Sequence, residues 1–374
     1  MSRKGLVGPW WSLRVFVAAF TPLLFVTNVA VGESAHRFTP AIPGAVVTLP
    51  NDHGVHPEYE TEWWYYTGHL VPEGEDLFSS DRRYGFQLTF FRRGVASNDG
   101  SVAQIYLAHA AFSDIGAGRF VSDSRLAPER LGFARAARGR LDVRNLDWSA
   151  ELVAGEHLLR FSLPALAPEL EFRFLGTDAP PILNGEGGFS RKSGCASCAS
   201  MYYSVPRIEI RGHVVDRGTP VSVRGIAWMD HEYMSNALES NQVGWDWVSL
   251  MFKDGTDLML FRIRTADGSP PFLSGTVRRA GVTNSLRADQ IVMTPLGEPW
   301  KSPRSGGAYP IAFRLKVADF GINTTIKSLM PDQEVAAKGE DGIAYYEGAV
   351  RSDDREAVGY LEMTGYAEPL GNRL

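Results

Sequence analysis

What this chain has little of narrows the field first. Its 374 residues hold two cysteines, Cys195 and Cys198. That excludes a disulfide-stapled scaffold and a four-cysteine zinc site. Basic residues number 38 against 43 acidic ones, for a net charge of −5, and no basic block stands out. Nucleic acid is therefore not an expected partner. The chain lacks a P-loop and a dinucleotide-binding glycine fingerprint, so no nucleotide cofactor is expected. It lacks the G-x-S-x-G elbow of the α/β-hydrolases. "HEYMS" opens like the H-E-x-x-H of zinc proteases, but its fifth residue is Ser235. No metal and no other cofactor are expected. No histidine follows His231, so histidine-dependent chemistry must use the N-terminal part. Helical periodicity is scarce, and "DQEVAAKGED" is at most a short helix.

The C-x-x-C of "KSGCASCAS" has three readings: a redox pair, half a metal site or a local disulfide. No second pair exists and no βαβ pattern surrounds it. A loop disulfide or an incidental pair is the favoured reading.

What is present points to strands. There are 38 glycines, 22 prolines and 11% aromatic residues, with 44% hydrophobic residues overall. The apolar periodicity is two almost throughout. "YGFQLTFFRR" puts Tyr84, Phe86, Leu88 and Phe90 on one face, and "HLLRFSLPA" does the same with Leu159, Phe161 and Leu163. "LEFRFLG" alternates Leu170, Phe172 and Phe174, and "VSVRGIAWMD" pairs Ile226 with Trp228. "GWDWVSLMFKDGTDLMLFRIR" is a hairpin signal, two alternating runs joined at Asp254-Gly255. The fold class is all-β. At this length two β units are expected after an N-terminal export signal.

That signal occupies residues 1–32. Arg3, Lys4 and Arg14 precede an apolar stretch, and small residues Ala30 and Gly32 follow it. This is the layout of a secretory signal peptide. The alternative, an uncleaved anchor, is disfavoured by Thr21, Pro22 and Asn28 within the stretch. The expected location is periplasmic or secreted, with membrane contact only through the signal. The pattern lapses before Gly244, so the units are set at 43–232 and 233–374.

Four segments could carry chemistry. In "WMDHEY", Asp230, His231 and Glu232 are three adjacent titratable groups beside a strand end, close to Trp228. A carboxyl group in an apolar pocket is pushed toward its protonated form and can deliver a proton near neutral pH. The competing reading is a solvated corner in which Asp230 caps a turn. In "GWDWVSL", Asp246 shares a strand face with Val248, Leu250 and Phe252, while Trp245 and Trp247 face the other way. Either Asp246 is an isolated acid on an apolar face, or that face meets solvent. "SMYYSVPRIEIRG" offers Tyr202 and Tyr203 as a ligand wall or as plain core. "EWWYY" places Trp64 and Tyr66 on one strand face and Trp63 and Tyr65 on the other, so neither face is polar.

These segments, with "AHAAFSD" and "LNGEGGFSRK" among them in the same order, resemble the AttH/hydroxyneurosporene synthase family, whose members are also described as secreted hydrolases or carotenoid 1,2-hydratases. The resemblance runs from about Pro43 to the C-terminus. It implies two tandem lipocalin-like β-barrels with a hydrophobic site in or between them. It also implies binding of a lipid or isoprenoid, and in the enzymes of the family addition of water to an isolated double bond. Exported bacterial relatives are associated with ABC-transporter components, which makes such components expected partners.

Within that frame Asp230 or Asp246 is the candidate acid, and the resemblance favours the Asp230 segment. His231 is the candidate base that positions water, and Glu232 belongs to the same group. Trp228, Trp245, Trp247 and Tyr203 would shield a cation, and Trp63, Trp64, Tyr66 and Tyr202 would line the ligand site. Three function classes remain open: a binding protein for a hydrophobic small molecule, a hydratase or lyase, and a non-catalytic envelope interaction module. Trp63 and Trp64 should both be largely buried, on opposite sides of one strand.

Overall fold

The structure, a computed structural model, describes residues 38–370 apart from 98–99, 164–170, 178, 196, 217–218, 237 and 337–342. The expected export signal and Leu170 lie outside the described residues, as does the side chain of Phe172. Among the described residues no helix is long and apolar enough to cross a membrane.

The period-two pattern folds as two antiparallel, nearly closed barrels. The first is built from β1 Thr61–Pro72, β2 Tyr84–Ala96, β3 Val102–Asp114, β4 Arg119–Pro128, β5 Ala134–Ala136, β6 Asp142–Asn145, β7 Trp148–Val153, β8 Glu156–Ser162, β9 Glu171–Thr177, β10 Ile182–Leu183, β11 Phe189–Arg191, β12 Ala199–Asp216 and β13 Thr219–Asn236. Strand order is β4-β3-β2-β1-β13-β12-β9-β8-β7-β6-β5, with β10 and β11 added to β12. The open edges meet through Asn145, whose amide donates to the carbonyls of Tyr106 and Arg125 at 3.1 and 3.0 Å.

The second barrel comprises β14 Gln242–Phe252, β15 Asp257–Thr265, β16 Phe272–Arg279, β17 Val282–Leu286, β18 Ile291–Pro295, β19 Trp300–Lys301, β20 Ala308–Tyr309, β21 Ala312–Val317, β22 Ile322–Ser328, β23 Glu334–Ala336, β24 Ala344–Ser352 and β25 Ala357–Met363. Its path is β17-β16-β15-β14-β25-β24-β22-β21-β18, with β23 on β24 and a separate β19-β20 pair. Asp254-Gly255 turns β14 into β15 as the sequence predicts.

Two expectations need correction. β13 runs on to Asn236, so the boundary set after Glu232 falls inside a strand, and the second barrel begins only at Gln242. The segment expected as a short helix contains strand β23, whose Glu334 is held by the hydroxyls of Ser302 (2.5 Å) and Ser305.

Both barrel interiors are packed with side chains. Trp64, Tyr66, Phe86, Leu88, Phe90, Trp148 and Phe161 lie in the first core, and Val248, Leu250, Leu260, Phe313 and Tyr346 in the second. Burial of such side chains supplies roughly 1.5–3 kcal/mol each and holds each barrel shut. A third apolar cluster lies between the barrels. Tyr65, Tyr202 and Trp228 of the first barrel meet Trp247, Met251, Met259, Phe261 and Tyr360 of the second. Buried polar contacts lock the same junction. His69 Nε2 donates to the Gly359 carbonyl at 2.6 Å, and Ser113 donates to Gln333 at 2.8 Å. The two-sided aromatic ribbon is thereby explained: β1 feeds a barrel core with one face and the junction with the other.

Candidate active site between the barrels

Side-chain alternation along β1, β12, β13 and β14 decides what reaches the junction. Trp63, Tyr65, Tyr202, Asp230, Glu232, Trp245 and Trp247 line one cleft there, with Phe91, Lys192, Phe261, Glu347 and Glu362. The cavity volume is about 80 Å³. Trp63 and Trp245 are half-buried and stack at 6.4 Å, with planes 17° apart.

Asp230 is the best-positioned group in the cleft. Register places it opposite Ser204 on β12 and Tyr65 on β1. Its Oδ1 accepts from the indole of Trp228 and the hydroxyl of Ser204, each at 2.6 Å. Its Oδ2 accepts from Tyr202 at 2.7 Å. Two of the three donors are themselves braced from further out. Trp247 donates to the Tyr202 oxygen at 3.0 Å, and Asn184 to the Ser204 oxygen at 2.8 Å. Thr276 in turn donates to the Asn184 carbonyl at 2.8 Å. Trp247 and Thr276 belong to the second barrel, so both barrels orient this one carboxyl group. Burial pushes Asp230 up to about 7; the three hydrogen bonds oppose that rise, and the charge of Glu232 adds to it. A carboxyl group offers about four lone-pair positions. Three are filled, and the fourth, on Oδ2, is where a transferable proton can sit.

Glu232 is engaged differently. Its Oε1 lies 2.5 Å from Lys192 Nζ and also takes the Ser200 hydroxyl. The Lys192 ammonium lies over the rings of Tyr202 and Phe261, at 4.9 and 4.4 Å. Lys192 is fixed by its neighbours: its N–H donates to the Cys198 carbonyl at 2.8 Å, inside the loop closed by a Cys195–Cys198 disulfide.

Four expected site residues lie elsewhere because they sit one position out of phase. His231, Trp64 and Tyr66 face the first barrel's interior, as does Tyr203. Trp64 stacks on His231 at 4.7 Å and donates to the His53 carbonyl at 3.2 Å. Tyr66 hydrogen-bonds His157 at 3.1 Å. The hydroxyl of Tyr203 lies 2.7 Å from His53 and 3.2 Å from His231. His231 therefore cannot position water for Asp230, because the sheet stands between them. Asp246 is also corrected. It faces the second barrel's interior, where Arg262 and Arg264 take its oxygens. The isolated acid on an apolar face is real, and it is paired.

The first barrel's interior holds its own ionic cluster. Glu62 accepts from His231 Nε2 and His56 Nδ1, each at 2.9 Å, and from Arg92 Nε at 2.9 Å. Burial opposes charge on His56, but its contacts with Asp52 and Glu62 outweigh this and raise it to about 9. Burial lowers His231, against the pull of Glu62. Burial alone would raise Glu62, yet its histidine and arginine partners hold it well below the usual carboxylate range. His56, Glu62 and His231 have the donor set of a metal site, with ligand atoms within 4.8 Å of one another. Arg92 and a cationic His56 already supply positive charge at that carboxylate, which argues for a structural ionic knot.

Sequence reasoning missed Lys192, Glu347 and Glu362. The two glutamates face each other across β24 and β25. Burial raises both; the charge of Glu362 adds to the rise of Glu347, and Glu362 reaches about 8 against a hydrogen bond from Trp245, with the charges of Asp230 and Glu232 adding to it. Glu362 keeps some accessible surface because it borders the cavity. A single acid inside an apolar strand, as in "YYEGAV" and "YLEM", was the available signal.

The model of the AttH-like family matches residues 40–366. The chain belongs to that family. An AttH-type protein from Nitrosomonas europaea has a similar crystal structure at 35% identity and a TM-score of 0.77, covering 88% of this chain and 100% of that one. Kievitone hydratase from Nectria haematococca shares the fold at 14% identity and a TM-score of 0.62, over 89% of this chain and 99% of that one. A search of the curated proteins finds no match. The AttH-like architecture thus covers both barrels and the cleft between them.

Proposed function

We propose that this is an exported AttH-like protein that binds a hydrophobic small molecule in the inter-barrel cleft and adds water to, or removes it from, a carbon–carbon double bond. The observation that carries this reading is Asp230, a buried acid whose one open lone pair borders an aromatic cleft. The Asp230 proton forms the new C–H bond, and the alkene electrons leave a carbocation on the neighbouring carbon. The ring faces of Trp63, Trp245 and Trp247 attract that cation. Water adds to it, and the proton it loses restores the carboxyl group. A raised acid suits this role because it is partly protonated at neutral pH.

A cavity of about 80 Å³ has room for roughly half a dozen water centres. That suits the branched end of an isoprenoid better than a whole extended molecule. The kievitone hydratase likeness is an analogy of fold; the argument rests on the site. Export to the periplasm or the medium, and delivery to or from an ABC transporter, complete the proposal, with the signal-like N-terminus as its support.

The test is incubation of purified protein with short prenyl alkenes in deuterium oxide. Deuterium should appear at the protonated carbon, and it should not with Asp230→Asn. Bound alkene recovered without deuterium from both proteins would reduce the function to binding alone.

A further inference from the structure

The cleft contains an acid pair that the hydration step leaves unused. Glu347 on β24 and Glu362 on β25 stand directly opposite in register, and both line the cavity. Glu347 is 1% exposed. Its Oε2 accepts from Tyr65 at 3.0 Å, and its Oε1 is buried with no hydrogen-bond partner. Glu362 accepts from the indole of Trp245. Among the described residues lining the cleft, Lys192 is the only cation, and Glu232 holds it at 2.5 Å. A buried polar atom without a partner costs roughly 1–3 kcal/mol, so it marks a place where a partner is expected.

We propose that Glu347 and Glu362 form an oxygen-recognition subsite, so that the ligand is a hydrophobic molecule bearing a neutral carbonyl or hydroxyl oxygen and not a pure hydrocarbon. This rests on the cleft being the ligand site. Two adjacent buried acids without their own cation cannot both carry negative charge. Burial raises both, so at neutral pH the pair offers O–H donors to a ligand oxygen. An anionic ligand would meet Asp230 and Glu232 as well. A cationic ligand would meet the Lys192 ammonium already lying over Tyr202 and Phe261. A neutral oxygen satisfies the orphaned Glu347 and disturbs neither.

The probes are methylheptenone, an unsaturated methyl ketone, and the diene in which a methylene group replaces its carbonyl oxygen. The two are nearly isosteric and volatile, so depletion of headspace vapour over the protein reads binding of each. The protein carries Asp230→Asn, which prevents turnover and removes that titration. The other groups facing the pair are Tyr65 on β1, Glu232 on β13 with Lys192, and Tyr345 and Tyr360 on the pair's own strands. The three tyrosines are raised well above their ordinary range by burial, so they stay neutral across the range used.

At about pH 6 the ketone should bind about tenfold more tightly than the diene. At about pH 9.5 that preference should collapse to within about threefold as the pair loses its first proton and shares the second internally. Adding Glu362→Gln, which keeps a donor and cannot ionise, should preserve the preference at the higher pH. Equal retention of ketone and diene at the lower pH would overturn the subsite while leaving the cleft a ligand site. Retention of neither would overturn both. Tighter binding of the matching amine than of the ketone, or retention that survives Leu238→Arg in the cleft wall, would also overturn the subsite.

Discussion

The carboxyl group of Asp230 and the imidazole of His231, neighbours in sequence, stand on opposite faces of β13. Asp230 meets Tyr202 at 2.7 Å in the cleft, while His231 meets Glu62 at 2.9 Å inside the first barrel. The first belongs to the proposed chemistry and the second to the barrel's ionic knot, and their substitutions should behave differently.

Asp230→Asn should reduce turnover by about a hundredfold to ten-thousandfold, the usual reach of a general acid. Ligand retention should survive. Product formation and bound ligand, measured on the same preparation, check this.

Stability should fall as pH rises from acid toward alkaline. Folded Asp230 titrates at about 7 and Glu362 at about 8, above their values in the unfolded chain. Between those limits the folded protein holds protons that the unfolded chain has lost, so unfolding is favoured as pH increases. Above the folded values the penalty is complete, on the order of 4–5 kcal/mol for each group. His56, raised to about 9, stabilises the fold fully below its ordinary value and loses that contribution as pH rises from there through about 9. Thermal melts across pH should show Asp230→Asn flattening the decline near neutrality. Parallel wild-type and variant curves would contradict the assignment.

Glu62→Gln should cost about 3–5 kcal/mol, because Arg92 and His56 would be left as buried cations without their anion. His231→Gln should lower the melting temperature less and leave protonation chemistry within a few-fold of wild type. Chemical denaturation and the deuterium assay together separate the two effects.

Asp246→Asn should destabilise by a similar ~3–5 kcal/mol, since Arg262 and Arg264 lose their shared carboxylate. Turnover per folded molecule should stay within a few-fold. A loss matching that of Asp230→Asn would return Asp246 to the chemistry.

Replacing both Cys195 and Cys198 with serine should cost about 1–2 kcal/mol, near the low end for a short loop. It should also raise KM several-fold, because Lys192 is anchored to the Cys198 carbonyl. Steady-state kinetics with and without reductant provide the check.

The alternation of Tyr84, Phe86, Leu88 and Phe90 was enough to reveal a barrel strand, and all four lie in the first core. Asp254-Gly255 was likewise readable as a turn, since its chemistry is local. Asp230 and its aromatic company were readable as a group. Which side of the sheet each member would serve was not, because that depends on which face of β13 meets the second barrel. Glu347 and Glu362 escaped notice for a related reason. Each looks like an ordinary strand acid until β24 and β25 are set side by side. Lys192 comes from a loop whose direction is fixed by β12, the disulfide and a hydrogen bond from Gln242 to its carbonyl.

The arrangement of β1, β12, β13 and β14 also separates what selection can change. Positions 63, 65, 202, 230, 245 and 247 face the cleft, while 62, 64, 203, 231 and 246 hold the barrels. Alternate letters of the same strands therefore answer to different demands. Descendants of such a protein could exchange one ligand for another by rewriting every second residue. The letters between would keep both barrels folded while the specificity drifts.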